Sequence, residues 1–103
     1  MAVNWMKVGD ERQFGEGVQL VALERRRLVI ARLKGQLFAF DARCPHAGGP
    51  MEHAEIEGAV VSCPLHAWRF DLENGGVELH GYRGLEMQDV KVEGGAVYVA
   101  IPA

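Results

Sequence analysis

The sequence predicts an all-β domain, a base from which a small loop-bearing excursion projects. Three observations carry the prediction. Short runs of Val, Ile, Leu and Phe are separated by glycine-bearing turns, the punctuation expected of strands. Val97, Val99 and Ile101 alternate along the last run, the period of a half-buried strand. Between the apolar runs, near the middle of the chain, two short stretches each pair a cysteine with a histidine. The base is expected over residues 1 to about 41 and about 71 to 103, with the excursion, about 42 to 70, between them.

In order, Trp5-Met6-Lys7-Val8 is a short apolar start closed by Gly9-Asp10, and Gly15-Glu16-Gly17 is a turn. Val18 to Leu23 reads as a strand, with Val18, Leu20 and Ala22 on one face and Val21 and Leu23 on the other. Leu28 to Leu33 is rich in branched apolar residues, and the tight Lys34-Gly35-Gln36 connection leads into Leu37-Phe38-Ala39-Phe40. Two apolar runs joined by a short Gly-containing loop form a hairpin. The first Cys–His loop opens at Asp41. A short helical turn is expected around Gly49 to Ala54, in a segment that becomes charged towards Glu57.

Gly58-Ala59-Val60-Val61-Ser62 returns as a strand into the second loop, and Trp68-Arg69-Phe70-Asp71 leaves it as another. Asn74-Gly75-Gly76 marks a turn, because both residue types tolerate positive φ. Val77-Glu78-Leu79 is a short strand, His80 to Gly84 a loop, and Leu85 to Val92 a strand. The apolar parity of that last strand switches from Leu85 and Met87 to Val90 and Val92, which predicts a β-bulge near Gln88-Asp89. Glu93-Gly94-Gly95 turns the chain into its final strand.

A chain of 103 residues is one domain, able to bury roughly two-thirds of its unfolded surface. Hydrophobic content of 49% and charged content of 24% fit an ordinary globular protein. The net charge of -3 argues against nucleic-acid binding. The one basic block, Arg25-Arg26-Arg27, reads as a solvated turn or strand edge. No run approaches the ~18 apolar residues of a membrane-spanning helix, and Met1 to Trp5 lacks the pattern of a signal peptide. A reducing cytoplasm, where thiolates stay free, is the expected location.

Chemistry concentrates in Cys44-Pro45-His46 and Cys63-Pro64-Leu65-His66. These contain both of the cysteines, in C-x-H and C-x-x-H spacing. Two thiolates and two imidazoles make a four-ligand metal site, so Cys44, His46, Cys63 and His66 are the candidate ligands. Zinc accepts such a set. So does a binuclear iron–sulfur centre with two Cys on one iron and two His on the other. Zinc modules usually place like ligands together on each hairpin, whereas each loop here carries one of each kind.

The two loops, Cys44-Pro45-His46-Ala47-Gly48-Gly49-Pro50-Met51 and Cys63-Pro64-Leu65-His66-Ala67-Trp68-Arg69-Phe70-Asp71, closely resemble the two cluster loops of the Rieske family. The resemblance covers nearly the whole chain. It implies an antiparallel β-sandwich base of stacked sheets with a small cluster-binding subdomain that carries one [2Fe–2S] cluster at one tip, and no disulfide, because the extra cysteines of high-potential members are missing. It also implies a low potential. The positions two and four residues after His66 carry Trp68 and Phe70, where high-potential members carry a Ser and a Tyr hydroxyl. Rieske centres span about −150 to +300 mV, and the lower half is expected here. Phe70→Tyr should raise the potential. Gly48 and Gly49 are expected to let backbone N–H groups approach the cluster sulfurs. Gly81-Tyr82-Arg83-Gly84 stands where many members have a Pro-rich third loop, yet contains no proline. His53 and His80 are expected to be solvent-exposed rather than ligands, and Trp68 to be packing for the loops.

The resemblance implies a one-electron carrier, the ferredoxin component of a ring-hydroxylating oxygenase system, with a flavin reductase and a terminal oxygenase as partners. A small subunit of a larger oxidoreductase, such as an assimilatory nitrite reductase, and a structural zinc module are the alternatives. The chain is not expected to be an oxygenase, which needs a further mononuclear iron held by two His and a carboxylate. Neither nucleic acid nor membrane is an expected partner. Reduction adds negative charge, so His46 and His66 should hold protons more tightly in the reduced state, and the potential should fall at alkaline pH.

Overall fold

The computed structural model describes residues 3–23, 25–46, 48–65 and 67–102. Among these, eleven strands form three antiparallel sheets. The first sheet runs β1 (Val3–Asp10), β11 (Ala96–Pro102), β10 (Val90–Glu93). The second runs β2 (Gly17–Leu23), β3 (Arg26–Leu33), β4 (Gln36–Asp41), β9 (Met87–Gln88). The third runs β5 (Glu55–Glu57), β6 (Val60–Ser62), β7 (Arg69–Asp71), β8 (Val77–Glu78).

The second sheet is the middle layer, and its sequence shows why. The run from Leu28 to Leu33 is almost continuously apolar, the signature of a strand covered on both faces. Leu28 and Ile30 face a core shared with Phe14, Val97, Val99 and Ile101 of the base. Val29, Ala31 and Leu33 face the opposite core, with Phe38, Phe40, Met51, Val61 and Phe70. Strand β2 divides in the same way, Val18 and Leu20 packing on the second core and Val21 and Leu23 on the first. Cys44 and Cys63 lie in the second core, which therefore anchors both Cys–His loops. At about 25 cal/mol per Å², burying a Leu or Phe stabilises by about 1.5–3 kcal/mol, so each apolar anchor below the loops matters.

The β3–β4 hairpin forms as the sequence predicts. Lys34 and Gly35 have φ of 54° and 77°, the paired positive values of a two-residue type I′ turn, whose twist matches that of the strands. Gly75 and Gly76, at φ 77° and 79°, turn the chain after a 3-10 turn at Leu72–Asn74. The short helical turn in the inter-loop segment is a 3-10 turn at Met51–His53.

Three local expectations change. Strand β1 is longer than Trp5 to Val8, because Val3–Asp10 pairs along β11 with a register shift between Lys7 and Gly9. Glu55–Glu57 is a strand although it carries two glutamates, since β6 supplies its ladder and its side chains stay exposed; Gly58 and Ala59 form the turn between them. The predicted single strand over Leu85 to Val92 is two strands in two sheets. Met87–Gln88 pairs with β4, and Val90–Glu93 pairs with β11. The parity switch is the chain crossing between layers: Leu85 and Met87 pack on one core and Val90 on the other.

Candidate metal centre

The first Cys–His loop is closed by its own backbone. Met51 N–H donates to the Ala42 carbonyl at 2.8 Å, Cys44 N–H to the Gly49 carbonyl at 3.0 Å, and Gly48 N–H to the Cys44 carbonyl at 2.9 Å. Asp41 accepts from Arg43 N–H at 2.8 Å where the loop opens. The second loop is closed by Cys63 N–H donating to the Trp68 carbonyl at 2.7 Å, above the Ser62–Arg69 pairing of β6 and β7. Ala67 lies in this loop at φ 52°, a conformation that costs a non-glycine residue roughly 1–2 kcal/mol and marks a locally strained segment.

These closures bring Cys44 and Cys63 together. Both are unpaired with any disulfide partner and almost fully enclosed, at 3% and 2% exposure. Leu65 N–H faces the Cys63 Sγ at 3.4 Å, and Gly49 N–H faces it from the other loop. Burial pushes the Cys63 thiol up, the adjacent Cys44 thiol adds to this, and the N–H groups of Leu65 and Gly49 oppose it. A nearby cation reverses that balance, because a coordinated thiol is deprotonated. Gly49 is where glycine is needed: a Cβ there would lie 2.7 Å from the Cys63 Sγ and 3.2 Å from Leu65 Cγ.

His46 sits on the outer rim, exposed. Trp68 stacks on its ring with centroids 4.1 Å apart and planes at 19°, and Phe70 lies behind at 6.3 Å. Tyr82 meets both rings edge-on, 6.2 Å from His46 and 5.4 Å from Trp68. His46 Nε2 lies 2.6 Å from the Arg83 carbonyl, to which it donates. That bond leaves Nδ1 of the neutral ring as the free donor atom for a metal. His66, the fourth expected ligand, lies outside the described residues. Two buried sulfurs side by side, N–H groups turned to one of them and an oriented imidazole on the rim fit a cluster with mixed thiolate and imidazole ligands.

The Rieske [2Fe-2S] domain family model matches residues 4–85. The chain belongs to the Rieske [2Fe-2S] domain family. Its cofactor is accordingly a [2Fe–2S] cluster. The ferredoxin component of the naphthalene 1,2-dioxygenase system of Pseudomonas putida is 33% identical over 76 residues, 73% of each chain. The oxygenase component of 3-ketosteroid-9-alpha-monooxygenase of Rhodococcus rhodochrous is 36% identical over 72 residues, 68% of this chain and 18% of that one, so this Rieske chain spans about a fifth of that relative. Among solved structures, the complex of reduced oxygenase and oxidized ferredoxin in carbazole 1,9a-dioxygenase gives a TM-score of 0.85 at 24% identity, over 95% of this chain and 94% of that one. The likeness bears out the all-β, antiparallel Rieske architecture.

The other sequence expectations resolve plainly. His53 and His80 are exposed, and His80 pairs with Glu78 rather than with either loop. Trp68 packs against a candidate ligand, as expected. Arg25 and Arg27 are exposed and Arg26 half-buried at the β2–β3 turn. Tyr82, Glu78 and the Arg83 carbonyl were not singled out from sequence. The Arg83 contact is made by a main-chain atom 37 residues from His46, and no residue type signals it. A glutamate between Val77 and Leu79 in a strand pattern was the one visible sign of Glu78. No described helix is long and apolar enough to cross a membrane.

Proposed function

We propose that the chain is a one-electron carrier, with Cys44 and Cys63 holding one iron of the cluster and His46 and His66 the other. The observation that carries this is the pairing of two buried, adjacent cysteines with an exposed, hydrogen-bonded imidazole at the tip of two closed loops. The cluster, when bound, supplies a reversible one-electron couple. The chain's own residues do the rest. Burial of the two cysteines keeps water from the sulfurs. Gly49 and Leu65 direct N–H groups at Cys63 and favour added negative charge there. The exposed edge of His46, with Trp68 and Tyr82 beside it, places the ligand side of the site at the surface, where a partner's redox centre can approach.

The chain is read as one domain, with residues from about 42 to 70 bearing the cluster and the remainder forming the base. The partner it suits is a terminal oxygenase, a reading supported by the ferredoxin-component relative and by the solved oxygenase–ferredoxin complex. A flavin reductase as the electron source is proposed on the resemblance of the two Cys–His loops to those of Rieske ferredoxins. This favours a carrier over a subunit of a nitrite reductase or a zinc module. The chain itself catalyses no substrate reaction on this reading, and its thiolates suit the reducing cytoplasm.

The test is electron paramagnetic resonance of the dithionite-reduced protein, with iron and acid-labile sulfide measured on the same sample. A mixed-valence [2Fe–2S] signal with nitrogen coupling is expected. The coupling should fall in His46→Cys and His66→Cys proteins. A silent spectrum with bound zinc, after reconstitution with iron and sulfide has been tried, would refute the carrier.

A further inference from the structure

The proline-free third loop is held by a buried carboxylate. Glu78, the last residue of β8, is 4% exposed, and it is the one buried charged residue among those described. Its Oε1 accepts from His80 N–H at 2.8 Å and from Tyr82 N–H at 3.1 Å, and its Oε2 lies 3.2 Å from His80 Nδ1. The main chain adds Gly81 N–H to the Glu78 carbonyl at 3.0 Å and Leu85 N–H to the Gly76 carbonyl at 2.9 Å. At the loop's base Gly84 passes so close to Gly76 that a Cβ would lie 2.5 Å from the Gly76 oxygen. Burial alone would raise the Glu78 carboxyl, but the N–H groups of Tyr82 and His80 outweigh it and hold it below the usual carboxylate range. The carboxylate is therefore charged, and accepts from the loop's backbone as a charge-assisted partner.

We infer that Glu78 is a positioning residue for the metal centre: by fixing residues 79–83 it aims the Arg83 carbonyl at His46 Nε2 and sets the electron donation of that imidazole. The link is short. Tyr82, whose N–H is bound by Glu78, is the neighbour of Arg83, whose carbonyl lies 2.6 Å from the His46 ring. Where proline would stiffen such a loop by fixing φ, this chain uses an internal acceptor for two N–H groups of the turn, those of His80 and Tyr82. A carbonyl that accepts from a ligand's N–H makes the imidazole a stronger donor and stabilises the oxidised site. Releasing the loop therefore raises the midpoint potential. The inference rests on the proposed role of His46 as ligand.

The test uses the cluster-loaded protein with two readouts, hydrogen exchange of the segment 79–83 and the midpoint potential by protein-film voltammetry. Glu78→Leu should speed exchange across the segment and shift the reduced-to-oxidised ratio at the wild-type midpoint towards reduced, by roughly threefold to tenfold, tenfold being about 59 mV for one electron. Glu78→Gln keeps one oxygen acceptor and should fall between Glu78→Leu and wild type. His80→Ala removes only the ring contact and should stay near wild type. Faster exchange with an unmoved potential would overturn the inference, as would unchanged exchange. If Glu78→Leu does not fold, the same two outcomes are read from Glu78→Gln. A wild-type protein that holds no cluster overturns the underlying reading, and this is seen before any variant is made.

Discussion

Gly49→Ala should break the metal centre through one atom. Gly49 has an ordinary backbone conformation, so the substitution introduces no φ strain; its whole effect is steric. The added Cβ would stand 2.7 Å from the Cys63 Sγ, with Leu65 Cγ at 3.2 Å and Leu65 Cβ at 3.5 Å behind it. Unstrained heavy-atom contacts lie near 3.5–4.0 Å, so the two loops must separate by roughly one ångström. Neither side yields easily. Cys63 is fixed by its N–H bond to the Trp68 carbonyl, and Gly49 by the bond its carbonyl receives from Cys44. Overpacking of this kind costs about 1–3 kcal/mol, or roughly 4–8 °C in Tm per kcal/mol for a domain of this size. The same displacement pulls the Gly49 N–H away from the Cys63 sulfur. The assay is iron and acid-labile sulfide per chain, with Tm by circular dichroism. Gly48→Ala is the control: Gly48 has φ 65° and open space where its Cβ would be, so it should lose about 1–2 kcal/mol of backbone origin while still filling with cluster. Full cluster content and a wild-type Tm in Gly49→Ala would refute the account of the loop contact.

Phe70→Tyr should raise the midpoint potential, as a hydroxyl enters the enclosed space behind His46; if voltammetry gives an unchanged or lower value, the side chains after His66 do not set the potential. A hydroxyl that finds no acceptor there would instead appear as a loss of about 1–3 kcal/mol in stability. Acid should loosen the third loop: the folded Glu78 carboxyl is held low despite burial, through the N–H groups of Tyr82 and His80. Its stabilising contribution is therefore present above the ordinary glutamate pKa of about 4.3 and lost as pH falls through the lower folded value. Tm measured between pH 6 and 3 should drop less in Glu78→Gln than in wild type, and parallel curves would argue against the assignment. Removing the cluster with chelator and reductant should leave the strand signature in far-ultraviolet circular dichroism, because the core around Phe14, Leu28, Ile30 and Val99 contains no candidate ligand. Hydrogen exchange should rise in the two loops alone, and collapse of the whole spectrum would show that the base depends on the metal.

Much of the base was legible because its signals are local. The Lys34-Gly35 turn, the alternation of Val97, Val99 and Ile101, and the Gly94-Gly95 reversal depend on neighbours along the chain, and each forms where the sequence places it. The break at Asp89 was readable as a change of parity but not as a change of sheet, because a bulge and a crossing between layers leave the same pattern. Glu55–Glu57 was hidden for a related reason: an edge strand with exposed side chains owes its conformation to the ladder of β6, which composition does not record.

The sequence by itself supplied the candidate donors and, through the resemblance of their two loops, the kind of centre expected, because ligand chemistry resides in residue types: two thiols and two imidazoles in two short motifs. It also marked the glycine pair of the first loop. Only the tertiary structure decided which glycine touches the sulfur, that Trp68 stacks on His46, and that a main-chain oxygen from a third loop orients that ring. Backbone atoms carry no identity in a sequence. Their direction is set by the fold, here by a buried glutamate and two closely packed glycines far along the chain from the histidine they serve.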